Sequence, residues 1–156
     1  MSTVEREENY TKAKHLVYRL LNIRPRSEFE LRQKLQSKNL LKPVIDQALA
    51  YFVELDLVND RQFARQWIIS RLKKPFGWNR IRQELELKGI SRDIILEIRD
   101  EAAGEYDEVK AVTDLAQRRA DQYKNIDREK IRQRVYGYLQ RRGFNTSTIL
   151  KAIKSL

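Results

Sequence analysis

The sequence predicts an all-α protein: an elongated array of three tandem three-helix repeats. Two observations lead to this prediction. One basic segment recurs without a gap about fifty residues further along the chain. Apolar residues also recur with a period near 3.6 throughout, and no segment alternates as a strand would. In 156 residues, three such units would stack end to end around small local cores.

The repeated segment is a helix with a defined end. Residues 31–40 (LRQKLQSKNL) align with residues 81–90 (IRQELELKGI), so that Asn39 corresponds to Gly89. Asparagine and glycine are the residues that most readily adopt the left-handed conformation that ends a helix. A weaker third copy aligns residues 135–144 and puts Gly143 at the same position. A rival register, with residues 131–133 under 81–83, matches more letters but misplaces the glycine, so the first register is preferred.

Capping signals divide the chain into elements, in order. Residues 1–11 are polar and acidic and are expected to form a flexible tail. Ser27 and Glu30 fit a capping box, and Pro43 suits a first helical turn. Further N-caps are expected at Asp60, Ser91, Asp127 and Asn145. The predicted helices span residues 11–23, 27–38, 43–55, 60–73, 77–88, 91–102, 107–123, 128–142 and 145–155. They group into repeats at residues 12–56, 57–104 and 105–156.

Composition points to an anionic partner. The formal net charge is +10, and a field of that sign favours encounter with nucleic acid or with an acidic protein surface. The bases form two blocks, with net charges of roughly +6 over residues 60–92 and roughly +8 over residues 117–154. An acidic block with a net charge of roughly −6, over residues 93–114, separates them. The absence of cysteine excludes disulfides and thiolate sites. Without a signal core or a long apolar run, the protein is expected to be cytoplasmic and not membrane-bound.

The second repeat contains the first candidate binding surface. Residues 71–80 combine clustered cations with Phe76 and Trp78, and either ring could stack on a base. In the competing interpretation, Trp78 is part of a buried face with Ile81 and Leu85, Phe76 packs in the loop, and only the cations stay exposed. The candidate partner-binding cations here are Arg71, Lys73, Lys74, Arg80, Arg82 and Lys88. Spacing by four also allows two arginines on the following helix to pair with Glu84 and Glu86.

The third repeat carries the second candidate surface, with fewer acids to neutralise its bases. Its candidate cations are Arg132, Arg134, Arg141 and Arg142, and Tyr136 joins Trp78 as a candidate for stacking. At least one tyrosine of this helix is expected to be packed instead.

No motif supports catalysis. The chain lacks a glycine-rich phosphate loop and paired metal-ligand histidines, and its one histidine, His15, lies beside an apolar stripe. Carboxylates are predicted on exposed faces, where no desolvation would adapt their pKa values to acid–base work. The sequence therefore predicts neither an enzyme nor a cofactor, a metal or a small-molecule substrate.

Three segments resemble the bacterial RecX regulatory proteins. They are residues 55–64 (LDLVNDRQFA), residues 77–90 (GWNRIRQELELKGI), which look like the family's signature, and residues 27–35 (SEFELRQKL). The resemblance covers about Ala13 to Ile153, and Phe76 and Trp78 depart from the smaller residues expected beside the glycine. It implies a modulator of the RecA recombinase in DNA recombination, DNA repair and the SOS response. Such a protein would lie in the groove of the RecA–DNA filament and inhibit ATP hydrolysis, strand exchange and co-protease activity.

The alternative is a basic helical-repeat protein that binds DNA directly. Both functions are electrostatic and sensitive to salt, so salt dependence does not separate them. The resemblance implies the RecA filament as partner, with weaker contacts to single- or double-stranded DNA. A helical scaffold for another acidic protein is a third interpretation, which explains the signature segment poorly.

Overall fold

The computed structural model describes residues 1–102, 104 and 106–156. Within them the chain is helical, as the sequence predicts, and contains no strand. In this part of the chain no helix is long and apolar enough to cross a membrane. The helices are α1 (Thr3–Ile23), α2 (Glu28–Gln36), α3 (Lys42–Glu54), α4 (Asp60–Leu72), α5 (Trp78–Leu87), α6 (Arg92–Ala102), α7 (Glu108–Ala120), α8 (Arg128–Arg141) and α9 (Thr146–Ile153).

The predicted start of the first helix is wrong. Helix α1 begins at Thr3 rather than near residue 11, and a complete capping box closes its N-terminus. The Ser2 side chain accepts a hydrogen bond from the Glu5 backbone nitrogen (3.2 Å), and the Glu5 carboxylate accepts one from the Ser2 backbone nitrogen (3.1 Å). The first two turns are polar because they extend past the core, so an apolar stripe could not reveal them.

The chain packs as two compact units. Unit 1 comprises residues 1–64 and 86–94, and unit 2 comprises residues 65–85 and 95–156. In unit 1, α1, α2 and α3 bury a continuous core, which contains Ala13, Val17, Leu31, Leu35, Val44, Ile45, Ala48, Leu49, Phe52 and Val58. In unit 2, α7, α8 and α9 bury a second core, which contains Val112, Ala116, Ala120, Val135, Leu139, Phe144, Ile149, Ala152 and Leu156.

In each of the three repeats, one left-handed corner ends the second helix. Asn39, Gly89 and Gly143 have φ values of 57°, 72° and 85°. Before each corner the repeated helix buries a pair of apolar residues at the same offsets, namely Leu31 and Leu35, Ile81 and Leu85, and Val135 and Leu139. The preferred register of the third copy is therefore confirmed.

The Gly89 corner packs against the start of α2 inside unit 1. The Ser27 hydroxyl donates a hydrogen bond to the Lys88 carbonyl oxygen over 2.6 Å. A Cβ atom on Gly89 would lie 2.3 Å from the Phe29 Cβ atom, which is closer than real Cβ atoms approach. Glycine is required here both for its positive φ and for this contact.

The Gly143 corner packs against the start of α5 inside unit 2 in a similar way. The Gly77 backbone nitrogen donates to the Arg142 carbonyl oxygen (2.8 Å), and the Asn79 nitrogen donates to the Gly143 carbonyl oxygen (3.0 Å). A Cβ atom on Gly143 would lie 2.5 Å from the Arg80 Cβ atom. In both units a left-handed corner thus closes on the first turn of the preceding repeat's second helix.

A half-buried carboxylate holds the unit 1 contact together. The Glu30 side chain accepts hydrogen bonds from Arg24 (2.8 Å), from Lys88 (3.0 Å) and from the Ser27 backbone nitrogen (3.1 Å). Burial alone would raise the pKa of the Glu30 carboxyl, but the hydrogen bonds from Arg24, Lys88 and Ser27 outweigh it and lower that pKa to about 2.

We expect Gly89→Ala to destabilise the protein by more than about 1 kcal/mol, because the new Cβ atom meets Phe29 and the backbone is left-handed. Thermal unfolding followed by circular dichroism measures the effect. Gly104→Ala is the matched control, since a Cβ atom there meets nothing within 4 Å. Equal melting temperatures for the two variants would contradict the assigned corner.

Lowering the pH should lower the free energy of unfolding, because it protonates the Glu30 carboxylate. Its pKa is about 2 in the folded protein and about 4.3 in an unfolded chain. Its contribution is therefore fully present above the unfolded value and is lost as the pH falls towards 2. We expect the Glu30→Gln variant to show a flatter decline in the free energy of unfolding over this range, measured by urea titration at each pH. The same substitution at exposed Glu54 should leave the decline unchanged, and a steep decline in both variants would refute the assignment.

Candidate functional site

Three arginines surround one half-buried ring in unit 2. The guanidinium carbons of Arg80, Arg71 and Arg142 lie 3.9, 5.6 and 5.7 Å from the centroid of the Phe76 ring. Helices α4 and α5 supply two of these arginines, and the Gly143 corner supplies the third. All three distances allow a cation–π interaction. The structure thus brings together three of the predicted cations, around the loop phenylalanine.

The same pattern continues across unit 2. The guanidinium carbon of Arg142 also lies 5.0 Å from the centroid of the Tyr138 ring, and that of Arg119 lies 4.7 Å from the same centroid. Arg119 and Arg134 both approach the Tyr123 ring, at 5.6 and 5.4 Å. At the opposite end, Arg71 lies 4.5 Å from the Trp67 ring. We call this set the arginine–aromatic ladder, formed by Arg134, Tyr123, Arg119, Tyr138, Arg142, Phe76, Arg80, Arg71 and Trp67.

Glu84 organises one end of the ladder. Its carboxylate accepts hydrogen bonds from the Trp67 indole nitrogen (3.0 Å), the Arg71 Nε (2.8 Å) and the Arg80 Nε (3.2 Å). Burial would raise the pKa of Glu84, but the hydrogen bonds from Arg80 and Trp67 and the charge of Arg71 together lower it. Each of the two arginines donates to Glu84 through its Nε atom.

The remaining cations of the second repeat lie in different surroundings. Lys73 and Lys74 are exposed between α4 and α5. Arg82 is half-buried on α5 and interacts with other residues of the chain. Lys88 belongs to unit 1, where it pairs with Glu30. Lys88 therefore has a structural partner that its position beside a helix-ending glycine did not indicate.

Trp78 lines a cavity of about 200 Å³ in unit 2, together with Ile68 and Leu72. Arg99 lies over its ring at 5.1 Å. The Trp78 side chain is half-buried, and its stacking on a base stays a prediction.

The third-repeat candidates divide between three places. Arg134 and Arg142 belong to the ladder. Arg132 and Tyr136 line a groove of about 640 Å³ between α8 and α9, beside exposed Leu150. Arg141 is exposed and borders a polar groove that it shares with Arg80.

Sequence reasoning missed Trp67, Arg119 and Tyr123 as members of the site. A local signal was present, because arginine and tyrosine alternate at spacings of four over Arg134, Tyr138 and Arg142, and again over Arg119 and Tyr123. Residues four apart share one face of a helix. That signal indicates the arginine–tyrosine series along α8 and the pair formed by the end of α7 and the turn after it, but not that the two sets meet.

The ladder presents planar cations and half-exposed rings side by side. Guanidinium groups pair with phosphates and carboxylates and also stack on flat faces, and aromatic rings add stacking surface for bases. This chemistry suits an anionic partner with planar groups. Among the described residues, no group of histidines and carboxylates is placed to hold a metal ion.

Comparison with known families covers nearly the whole chain. Profiles of the first, second and third three-helix domains of RecX match residues 13–52, 59–97 and 105–153. A protein of Haemophilus influenzae (strain PittEE) named regulatory protein RecX is 37% identical over 83% of this chain and 85% of its own length. The regulatory protein RecX of Chlorobium phaeobacteroides (strain BS1) is 35% identical over 93% of both chains.

A solved structure shares the fold. The crystal structure of RecX from Lactobacillus salivarius superposes with a TM-score of 0.85 and covers 96% of this chain and 97% of its own. Its sequence identity is 21%, so the likeness concerns the fold alone.

Removing the Glu84 carboxylate should leave three donors without their shared acceptor. We expect Glu84→Ala to lower the free energy of unfolding by about 1–3 kcal/mol, measured by urea denaturation. Asp100→Ala removes an exposed carboxylate from the same unit and is the matched control, with an expected change within about 0.5 kcal/mol. Similar losses in the two variants would show that Glu84 does not organise the arginines.

Proposed function

Because this chain belongs to the RecX family of regulatory proteins, we propose that it binds the RecA–DNA filament and inhibits RecA. The inhibited activities are ATP hydrolysis, strand exchange and co-protease action, in the cytoplasm, in recombination, repair and the SOS response. The observation that carries the proposal is the match of three successive RecX domains. The protein acts by binding, without a cofactor and without catalysis of its own.

The arginine–aromatic ladder and the lysines beside it supply the proposed contact surface. A surface of this charge favours encounter with acidic protein patches and with phosphates, and the DNA of a RecA–DNA filament supplies phosphates. Three linked repeats also allow several weak contacts on one filament. Each contact raises the effective concentration of the next, so affinity exceeds that of any single repeat.

Direct binding to nucleic acid is the second candidate function. The ladder favours it, because rings and guanidinium planes that follow one another match the stacking used for single strands. The two candidates differ in one measurement. Binding to RecA without DNA supports the RecA-directed function, whereas binding to DNA without RecA supports the alternative.

Charge reversal tests the proposed surface. We expect Lys73→Glu with Lys74→Glu, and separately Arg141→Glu with Arg142→Glu, to raise the concentration needed to inhibit RecA about tenfold each, because repulsion replaces attraction. The fourfold variant should lose inhibition. The measurements are RecA ATPase and strand exchange at fixed salt, with circular dichroism to check folding.

Arg6→Glu with Lys34→Glu is the control, because it changes the charge equally at exposed sites of unit 1. Binding of DNA by each variant alone is measured in parallel. A fourfold variant that loses DNA binding but still inhibits RecA fully would contradict the proposed role of these bases. Inhibition that is absent even in the unaltered protein would contradict the proposed function itself.

A further inference from the structure

Unit 1 contains a basic groove that the charge blocks did not indicate. One face of α1 and the segment after α2 enclose about 570 Å³. The lining residues include four bases, Lys12, His15, Arg19 and Lys38, and two leucines, Leu16 and Leu40. Three of these bases lie within residues 12–19, a stretch that contains no aspartate or glutamate, and Lys38 joins them from farther along the chain.

The bases of this groove differ from the four cations of unit 1 that pair with its half-buried carboxylates. Arg24 and Lys88 pair with Glu30, and Arg32 and Lys42 pair with Asp46. Among the described residues, the side chains of the four groove bases make no hydrogen bond and no ion pair. Glu8 precedes Lys12 by one helical turn, yet the two do not pair. The groove therefore retains positive charge that the fold does not use.

The apolar part of the groove distinguishes between kinds of anionic partner. Leu16 and Leu40 are half-buried, and their remaining surface faces the groove. No phenylalanine, tyrosine or tryptophan of the described residues lines it, and its one ring is the imidazole of His15. A single-stranded nucleic acid would find one small ring on which to stack, in contrast to the four rings of the ladder in unit 2. An acidic peptide with leucine-like anchors would bury those anchors and pair its carboxylates with the surrounding bases.

We propose that this groove binds an acidic amphipathic segment of a partner protein. Lys12 and Arg19 lie seven residues apart on α1, a distance of about 10 Å along the helix axis. Two turns of a facing helix cover the same length, so acids on its flanks can meet Lys12, His15, Arg19 and Lys38 while its apolar residues meet Leu16 and Leu40. The inference is independent of the proposed action on RecA, and its test contains no RecA.

The probe is a fluorescein-labelled helical peptide of about twelve residues, rich in glutamate, with two leucines spaced by four. Fluorescence anisotropy at low salt measures its binding to the full chain. We expect Lys12→Glu with Arg19→Glu to weaken binding at least about tenfold through like-charge repulsion. Arg6→Glu with Lys34→Glu, which lies outside the groove lining, should change it less than about twofold. Melting curves check that each variant folds, and Lys12→Gln with Arg19→Gln replaces the reversal if that variant does not fold.

A second peptide, with serine in place of both leucines, tests the apolar contribution. It should bind at least about tenfold more weakly, because each buried leucine contributes about 1.5–3 kcal/mol. Equal binding of the two peptides, or equal effects of the groove and control variants, would overturn the proposal. A single-stranded oligonucleotide is titrated in parallel. If the groove variant loses the oligonucleotide but keeps the peptide, the groove is a nucleic-acid site and the proposal is wrong.

Discussion

The closure of a left-handed corner on the start of a preceding helix is the contact on which the rest of this structure depends. At Gly89 it leaves no room for a side chain against Phe29, and at Gly143 none against Arg80. Each corner also carries a cation just before the glycine. The Gly89 corner brings Lys88 to Glu30, and the Gly143 corner brings Arg142 to Phe76. The same backbone turn therefore places a structural ion pair in one unit and part of the candidate site in the other.

Basic side chains have different surroundings in the two units. In unit 1, half-buried carboxylates such as Glu30 and Asp46 each bind two cations, and four bases without such a partner line a groove. In unit 2, Glu84 binds two arginines through Nε while their guanidinium planes face rings. The net charge of a stretch of sequence indicates neither arrangement. It counts every cation equally, whether the cation lies beside a carboxylate, over a ring or in water.

The sequence predicted the helices and their corners well, because both depend on local properties. A period of 3.6 in the apolar residues indicates a helix. The need for a positive φ restricts which residue types can occupy the corners at Asn39, Gly89 and Gly143. The start of α1 was missed because its first turns touch no core, although Ser2 and Glu5 carried a capping signal. The contact of Lys88 with Glu30 and that of Arg119 with Tyr138 could not be predicted. Each joins residues that are far apart in the chain, and only tertiary packing determines which ones meet.

The corner contacts also bear on how the chain folds. Ser27 and Lys88 are separated by 61 residues, and the contact between Gly77 and Arg142 spans a similar distance. Local helices form in microseconds or less, but a contact of this sequence separation must first overcome the entropy of closing a long loop. The N-terminal turns of α2 and α5 are therefore covered only after the later corners at Gly89 and Gly143 have been synthesised. Folding is expected to be slower than for independent three-helix bundles. Its last step is expected to be the packing of Gly89 against α2 and of Gly143 against α5.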